Sequence, residues 1–153
     1  MLCFAGGDIG KTGALAVIDH LANLLYIKSF DKLGWKLCHR RLEHFKPTLT
    51  CIEKVQSRSG QGVKSVFSFG MNYGGWIAQL EGLELPYELI PPTRWQRAFL
   101  GTFKPGESKK KSLEFIKRKY PYVKLKDKDH GISDAICLAM YALLQYRRLA
   151  GRV

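Results

Sequence analysis

Cys3-Phe4-Ala5-Gly6-Gly7-Asp8-Ile9-Gly10-Lys11-Thr12-Gly13-Ala14-Leu15-Ala16-Val17-Ile18 decides how the rest of the chain is read. An apolar run, one acid, two spaced glycines and a second apolar run predict a strand, a tight turn and a returning strand. Asp8 falls where the first strand ends, and a carboxylate on a rigid strand end makes a good metal ligand. Gly10 and Gly13 let the backbone turn beside it without a Cβ clash. A lone Asp-x-Gly is more often a plain turn. The weight therefore rests on whether other acids stand in equally apolar settings.

Reading outward, residues 2–7, 13–19 and 24–30 predict an antiparallel three-strand meander, with Asp19-His20 as a polar break and His20 as a turn residue. Leu33, Leu37, Leu42 and Phe45 give a helical face that Pro47 stops. Residues 48–55 return as a strand that carries a second acid, Glu53, while Lys54 points to the opposite face. A carboxylate inside a buried strand needs a cation, a hydrogen-bond partner or the strand's exposed end.

Residues 56–62 form a polar loop whose Arg58 and backbone amides suit phosphate contacts, or else a solvated linker. Val63 to Leu80 predicts a long helix, where Gly70, Gly74 and Gly75 mark close approach of the sheet or of a second subunit. Most of its aromatics read as packing, although Phe67, Tyr73 and Trp76 offer more aromatic surface than one sheet face covers. Tyr87 to Ile90 is a short strand ended by Pro91-Pro92, and Thr93 caps a short helix in which Arg94 and Arg97 share a face. The basic run Lys109-Lys110-Lys111 leads into a helix through Lys119. The last helix opens around Asp129-His130-Gly131-Ile132-Ser133-Asp134 and continues apolar to Leu144. If it starts at His130, His130 and Asp134 share a face and Asp129 precedes the helix. Asp134 alone would read as a charge complementing the helix dipole. Three acids on three apolar elements read better as a metal site.

The 153 residues suit one α/β domain, residues 1–153, with 46% hydrophobic content to build its core. The 25 Lys plus Arg against 13 Asp plus Glu leave a formal charge of +12, which points to a polyanion as partner. No apolar run reaches spanning length and no basic amphipathic anchor stands apart, so a membrane is not expected as a partner. The N-terminus lacks a positive leader, and Cys3, Cys38, Cys51 and Cys137 are scattered through apolar segments. Both features lead to the expectation of an intracellular protein with reduced core cysteines.

In their order and spacing, four segments resemble the ribonuclease-H-like nuclease superfamily. Within it the chain is similar to RuvC-type Holliday junction resolvases of the small form found in phages and prophages. The segments are residues 8–16, Ile52-Glu53-Lys54-Val55, residues 60–65 with Phe69-Gly70 and Tyr73-Gly74, and residues 129–135. The family's first acid is commonly followed by Pro where this chain has Ile9, and many relatives carry a fourth acid one turn before the last one. Here His130 is the nearest candidate, with Asp129 beside it.

The resemblance implies a mixed five-stranded sheet, three antiparallel strands plus two parallel ones, flanked by helices. It implies that Asp8, Glu53 and Asp134 hold two Mg²⁺ ions, with His130 or Asp129 completing the site; Mn²⁺ could substitute, and hard oxygen ligands argue against zinc. It implies paired hydrolysis of four-way DNA junctions by a homodimer, leaving 5′-phosphate and 3′-hydroxyl ends. The expected DNA contacts are Lys11, Arg58, Lys64, Arg94, Lys109, Lys110 and Lys111. The setting would be the cytoplasm, the host's if the protein is phage-encoded.

Three rivals share some of these features. Residues 8–13 also resemble the first phosphate motif of sugar kinases and actin-like ATPases, but those need two such domains around the nucleotide. A related nuclease acting on RNA–DNA hybrids or other branched DNA would use the same acids. A non-catalytic DNA-binding module would need only the basic surface.

Overall fold

The computed structural model describes residues 1–10, 13–54, 60 and 62–151, apart from the side chain of Leu33. Strands β1 (Cys3–Asp8), β2 (Ala14–Asp19) and β3 (Leu24–Ser29) form the expected antiparallel meander. Strands β4 (Leu49–Glu53) and β5 (Tyr87–Ile90) extend it in parallel, giving the order β3-β2-β1-β4-β5. The helices are α1 (Phe30–Phe45), α2 (Val63–Gly82), α3 (Pro92–Leu100), α4 (Ser108–Lys119) and α5 (His130–Leu149). This is the mixed five-stranded α/β architecture that the resemblance implies, built on the meander that the strand patterns predict.

Side-chain alternation along β1 sorts the two faces of the sheet. Cys3 and Ala5 join a core with Cys38 and Leu42 of α1 and Trp76 and Leu80 of α2. Phe4 faces the other way, into a core built from Trp95 of α3, Ile116 of α4 and the apolar side of α5. Helix α5 lies unusually close to β1, because a Cβ on Gly6 would run into the backbone of Ala135 and Ala139.

The turn after β1 departs from expectation in one detail. Gly13 closes it by donating its amide to the Gly10 carbonyl at 2.8 Å, and a Cβ there would collide with the Asp8 carbonyl. A Cβ on Gly10 would only make an ordinary 3.5 Å contact with Asp8 Oδ2. Gly13 is thus the residue that this turn sterically requires.

Other local expectations are corrected as well. Helix α1 is interrupted at Gly34, whose φ of 61° and ψ of 162° are non-helical, and Trp35 just beyond it packs edge-on against Phe30. Thr93 does not cap α3: Pro91 holds the cap position and Pro92 the first turn, where a missing N–H costs nothing. Trp76 is buried against β1 and offers no aromatic surface outward. The three glycines of α2 also part company. A Cβ on Gly75 would strike the Trp35 ring, whereas Gly70 and Gly74 open onto space with nothing described within 4 Å. All four cysteines are buried and free. No helix among the described residues is long and apolar enough to cross a membrane.

Candidate active site

Asp8 shares the α5-facing side of β1 with Phe4 and Gly6, and Glu53 shares the same side of β4 with Leu49 and Cys51. The strands pair in parallel with Phe4 beside Leu49 and Gly7 beside Ile52, so the next step of the register sets Asp8 beside Glu53. Both acids fall at the C-terminal ends of their strands. Helix α5 starts at His130, which puts Asp134 one turn in on the helix that Gly6 admits against this face.

Electrostatics show that the three acids are within range of one another. Burial, then the charges of Asp134 and Glu53, push the Asp8 carboxyl up to about 8, against the pull of the Gly10 amide and Lys109. Burial also pushes Asp134 up to about 7; the Ser112 hydroxyl and Lys109 lower it and Glu53 raises it. Both residues keep partial contact with solvent, yet their surroundings are packed densely enough for desolvation to dominate. Asp134 Oδ1 is buried and has no hydrogen-bond partner among the described residues.

The supporting contacts are specific. Trp95 donates its indole N–H to Glu53 Oε2 at 3.2 Å. The Ser112 and Ser133 hydroxyl oxygens are 2.7 Å apart, Ser133 donates to the His130 carbonyl at 2.9 Å, and Ser112 reaches the Lys109 carbonyl at 3.2 Å. Helix α4 is thereby joined to the start of α5, beside Asp134.

Set against solved structures, the chain aligns over 99% of its length with 98% of Thermus thermophilus RuvC, at a TM-score of 0.67 and 14% identity for RuvC in complex with a Holliday junction substrate. A second Thermus thermophilus RuvC structure gives 0.66 at 16% identity over the same shares of both chains. Fowlpox virus resolvase in complex with its substrate Holliday junction DNA gives 0.50 at 20% identity, over 97% of this chain and 99% of that one. The fold is that of RuvC. No family model and no curated protein matches the sequence.

Within this RuvC-like, ribonuclease-H-like fold, the two candidates for a fourth group are held differently. Asp129 is half-buried, precedes α5 and accepts the Lys126 amide on Oδ2 at 2.8 Å, so its carboxylate braces its own turn. His130 lines a cleft of about 250 Å³ with Ser29, Asp31, Lys32, Lys128 and Asp129. Burial and then Lys109 lower its pKa, which favours the neutral imidazole.

The acids suit a hard divalent cation by three observations: all-oxygen donors, mutual repulsion that a cation would relieve, and the orphaned buried oxygen of Asp134. Among the described residues, no three His, Cys, Asp or Glu side chains already stand at ligating distance from a common point. The acids share a site without forming a closed cage.

Of the expected DNA contacts, Lys64 is exposed on the first turn of α2 and Arg94 is exposed on α3. Lys109 and Lys110 are exposed at the start of α4, and Lys109 acts on Asp8, Asp134 and His130, so it belongs to the site itself. Lys111 is half-buried, its Nζ donating to the Thr102 carbonyl at 2.6 Å. Lys11 and Arg58 lie outside the described residues.

Sequence reading missed Trp95, Ser112 and Ser133. The signal for Ser112 was available: it lies on the same side of a basic helix as Leu113 and Ile116, where a hydroxyl needs a buried partner. For Trp95 the signal was weaker, since a buried indole must find an acceptor but sequence does not say which.

Proposed function

We propose that this chain is a divalent-metal-dependent endonuclease of the RuvC type, a single nuclease domain that resolves four-way DNA junctions. The observation that carries this reading is that Asp8 and Glu53 fall at the adjoining ends of parallel strands within electrostatic reach of Asp134, in a fold shared with RuvC. A +12 chain with exposed lysines at the start of α4 supports a DNA partner.

Asp8, Glu53 and Asp134 would hold the ions, two Mg²⁺ or Mn²⁺ by family resemblance. Ions held by these carboxylates would supply a water of lowered pKa and positive charge for the leaving 3′-oxygen. The protein's own groups do the rest. Neutral His130, one turn before Asp134 on α5, would accept a proton from water or orient it. Lys109 adds positive charge where the scissile phosphate must approach the acids. Cleavage leaves a 5′-phosphate and a 3′-hydroxyl.

Two symmetric cuts need two sites, and α2 offers a face for a second copy of the chain. Val63, Phe67 and Met71 recur every four residues and are 87%, 69% and 62% exposed, beside the open Gly70 and Gly74. The cytoplasm, a host's if the protein is phage-encoded, is the setting that goes with this activity.

The test is purified protein with Mg²⁺ on four-way, flap, duplex and RNA–DNA hybrid substrates. Paired nicks confined to the four-way junction are expected, abolished by Asp8→Asn, Glu53→Gln or Asp134→Asn while junction binding persists. His130→Ala should lose far more activity than Asp129→Ala. Cleavage surviving in all three acid variants would overturn the metal reading, and preference for the hybrid would replace the junction as substrate.

A further inference from the structure

We infer that Trp95 is a positioning residue for Glu53, its indole N–H fixing the direction of carboxylate oxygen Oε2 beside Asp8 and Asp134, and thereby helping to set how tightly the site takes a divalent ion. This rests on the metal-site reading above.

The placement is built in. The Lys54 amide donates to the Ile90 carbonyl at 2.8 Å, tying the end of β4 to the end of β5, and Pro91-Pro92 turns the chain directly into α3. Trp95 follows within one turn and is only 1% exposed, between exposed Arg94 and half-buried Gln96. Its ring packs into the core beneath α5, together with Ile90 and Ile136. An aliphatic or phenyl side chain could fill such a space. What tryptophan adds is one donor, and that donor meets Glu53 Oε2 at 3.2 Å across 42 residues of sequence.

The chemistry of the donor fits the task. Glu53 stands beside two other acids whose charges repel it, and a glutamate has one more rotatable bond than an aspartate to be fixed. An N–H bond favours the ionised form and fixes its direction. Because indole is neutral, it leaves the negative charge available to a cation. It donates only, so it does not compete for the metal. Groups that orient a ligand in this way typically change metal affinity or activity 10–100-fold when removed.

The experiment compares wild type, Trp95→Phe, Glu53→Gln and the double variant by calorimetric titration with Mn²⁺, alongside junction binding in Ca²⁺ and cleavage in Mg²⁺. Trp95→Phe keeps an aromatic ring and removes the donor. Roughly 10-fold weaker Mn²⁺ binding is expected, with junction affinity unchanged and cleavage partly restored by raising Mg²⁺. In the Glu53→Gln background the same substitution should add nothing. Unchanged Mn²⁺ affinity in Trp95→Phe, or a loss that adds in full to that of Glu53→Gln, overturns the inference. Wild-type protein that takes up no Mn²⁺ overturns the metal site as well, which separates the two failures. Should Trp95→Phe not fold, the indole N–H resonances of ¹⁵N-labelled protein decide. Mg²⁺ must move one of the three tryptophan signals, and Glu53→Gln must shift that same signal without metal. Three unmoved signals refute the role.

Discussion

The hydroxyl oxygens of Ser112 on α4 and Ser133 on α5 lie 2.7 Å apart in the interior, where the basic helix meets the helix that carries Asp134. Ser112 also acts on the Asp134 carboxyl and holds it lower than burial alone would. Ser112→Ala leaves part of this network unsatisfied and should cost about 1–3 kcal/mol of stability. It should also raise the Asp134 pKa, moving the acid limb of the cleavage profile to higher pH. Denaturant melts and a pH–rate profile check the two effects separately, and a profile that stays in place would reduce Ser112 to a packing residue.

The raised carboxyls carry a sign for stability. Asp8 at about 8 and Asp134 at about 7 both lie above the ordinary value of 3.8, so between those limits the folded chain binds more protons than the unfolded one. Metal-free stability must then fall as pH rises through that window. His130, lowered from 6.5, works in the opposite sense only below that value. Thermal melting without metal should therefore show a loss from pH 6.5 to 8.5, on the order of 2 kcal/mol. Asp8→Asn should flatten the trend, and Mg²⁺ at pH 8.5 should reverse it. A flat wild-type profile would mean that the acids do not share a desolvated site.

Much of this was legible because period and punctuation agree. The five strands and the apolar run of α5 follow from apolar runs and breakers, the structure fixes the α5 start that the sequence left open at His130, and alternation alone puts Asp8 and Glu53 on faces that the parallel register then matches. What stayed hidden depends on neighbours distant in sequence. Gly6 reads as one more small strand residue until α5 presses on it, and Gly75 reads like Gly70 and Gly74 until Trp35 arrives from α1. The break at Gly34 was hidden for another reason, since a single glycine in a helical pattern signals only a modest cost. Trp95 and Glu53 are 42 residues apart, and no local pattern links an indole to its acceptor.

The basic run at the start of α4 divides by geometry. Lys110 is exposed and Lys109 faces the acids, whereas Lys111 is tied to the Thr102 carbonyl with its Nζ 5.9 Å from the Phe103 ring centre. Lys110→Ala should weaken junction binding and lower the slope of log affinity against log salt by about 0.9. Lys111→Ala should mainly cost stability, about 1 kcal/mol. Binding measured from 50 to 200 mM salt, with melts of both variants, distinguishes them. Equal slopes for wild type and Lys110→Ala would make that lysine a solvated surface group.

Dimerisation through α2 now has sharper terms than its glycines alone suggested. Trp76 belongs to the core and Gly75 makes room for Trp35, so the outward face is Val63, Phe67, Gly70, Met71 and Gly74. Spacings of three and four residues keep these on one stripe. Gly74→Leu or Phe67→Asp should therefore give folded monomers that still bind Mn²⁺ but cut the two strands of a junction independently. Gly75→Leu should instead damage folding, because its side chain would occupy the Trp35 ring's position. Sedimentation at matched concentrations, with thermal melts, tells these outcomes apart. Wild-type protein that sediments as a monomer both free and on junction DNA would remove the paired-cut mechanism and leave an enzyme that makes single nicks.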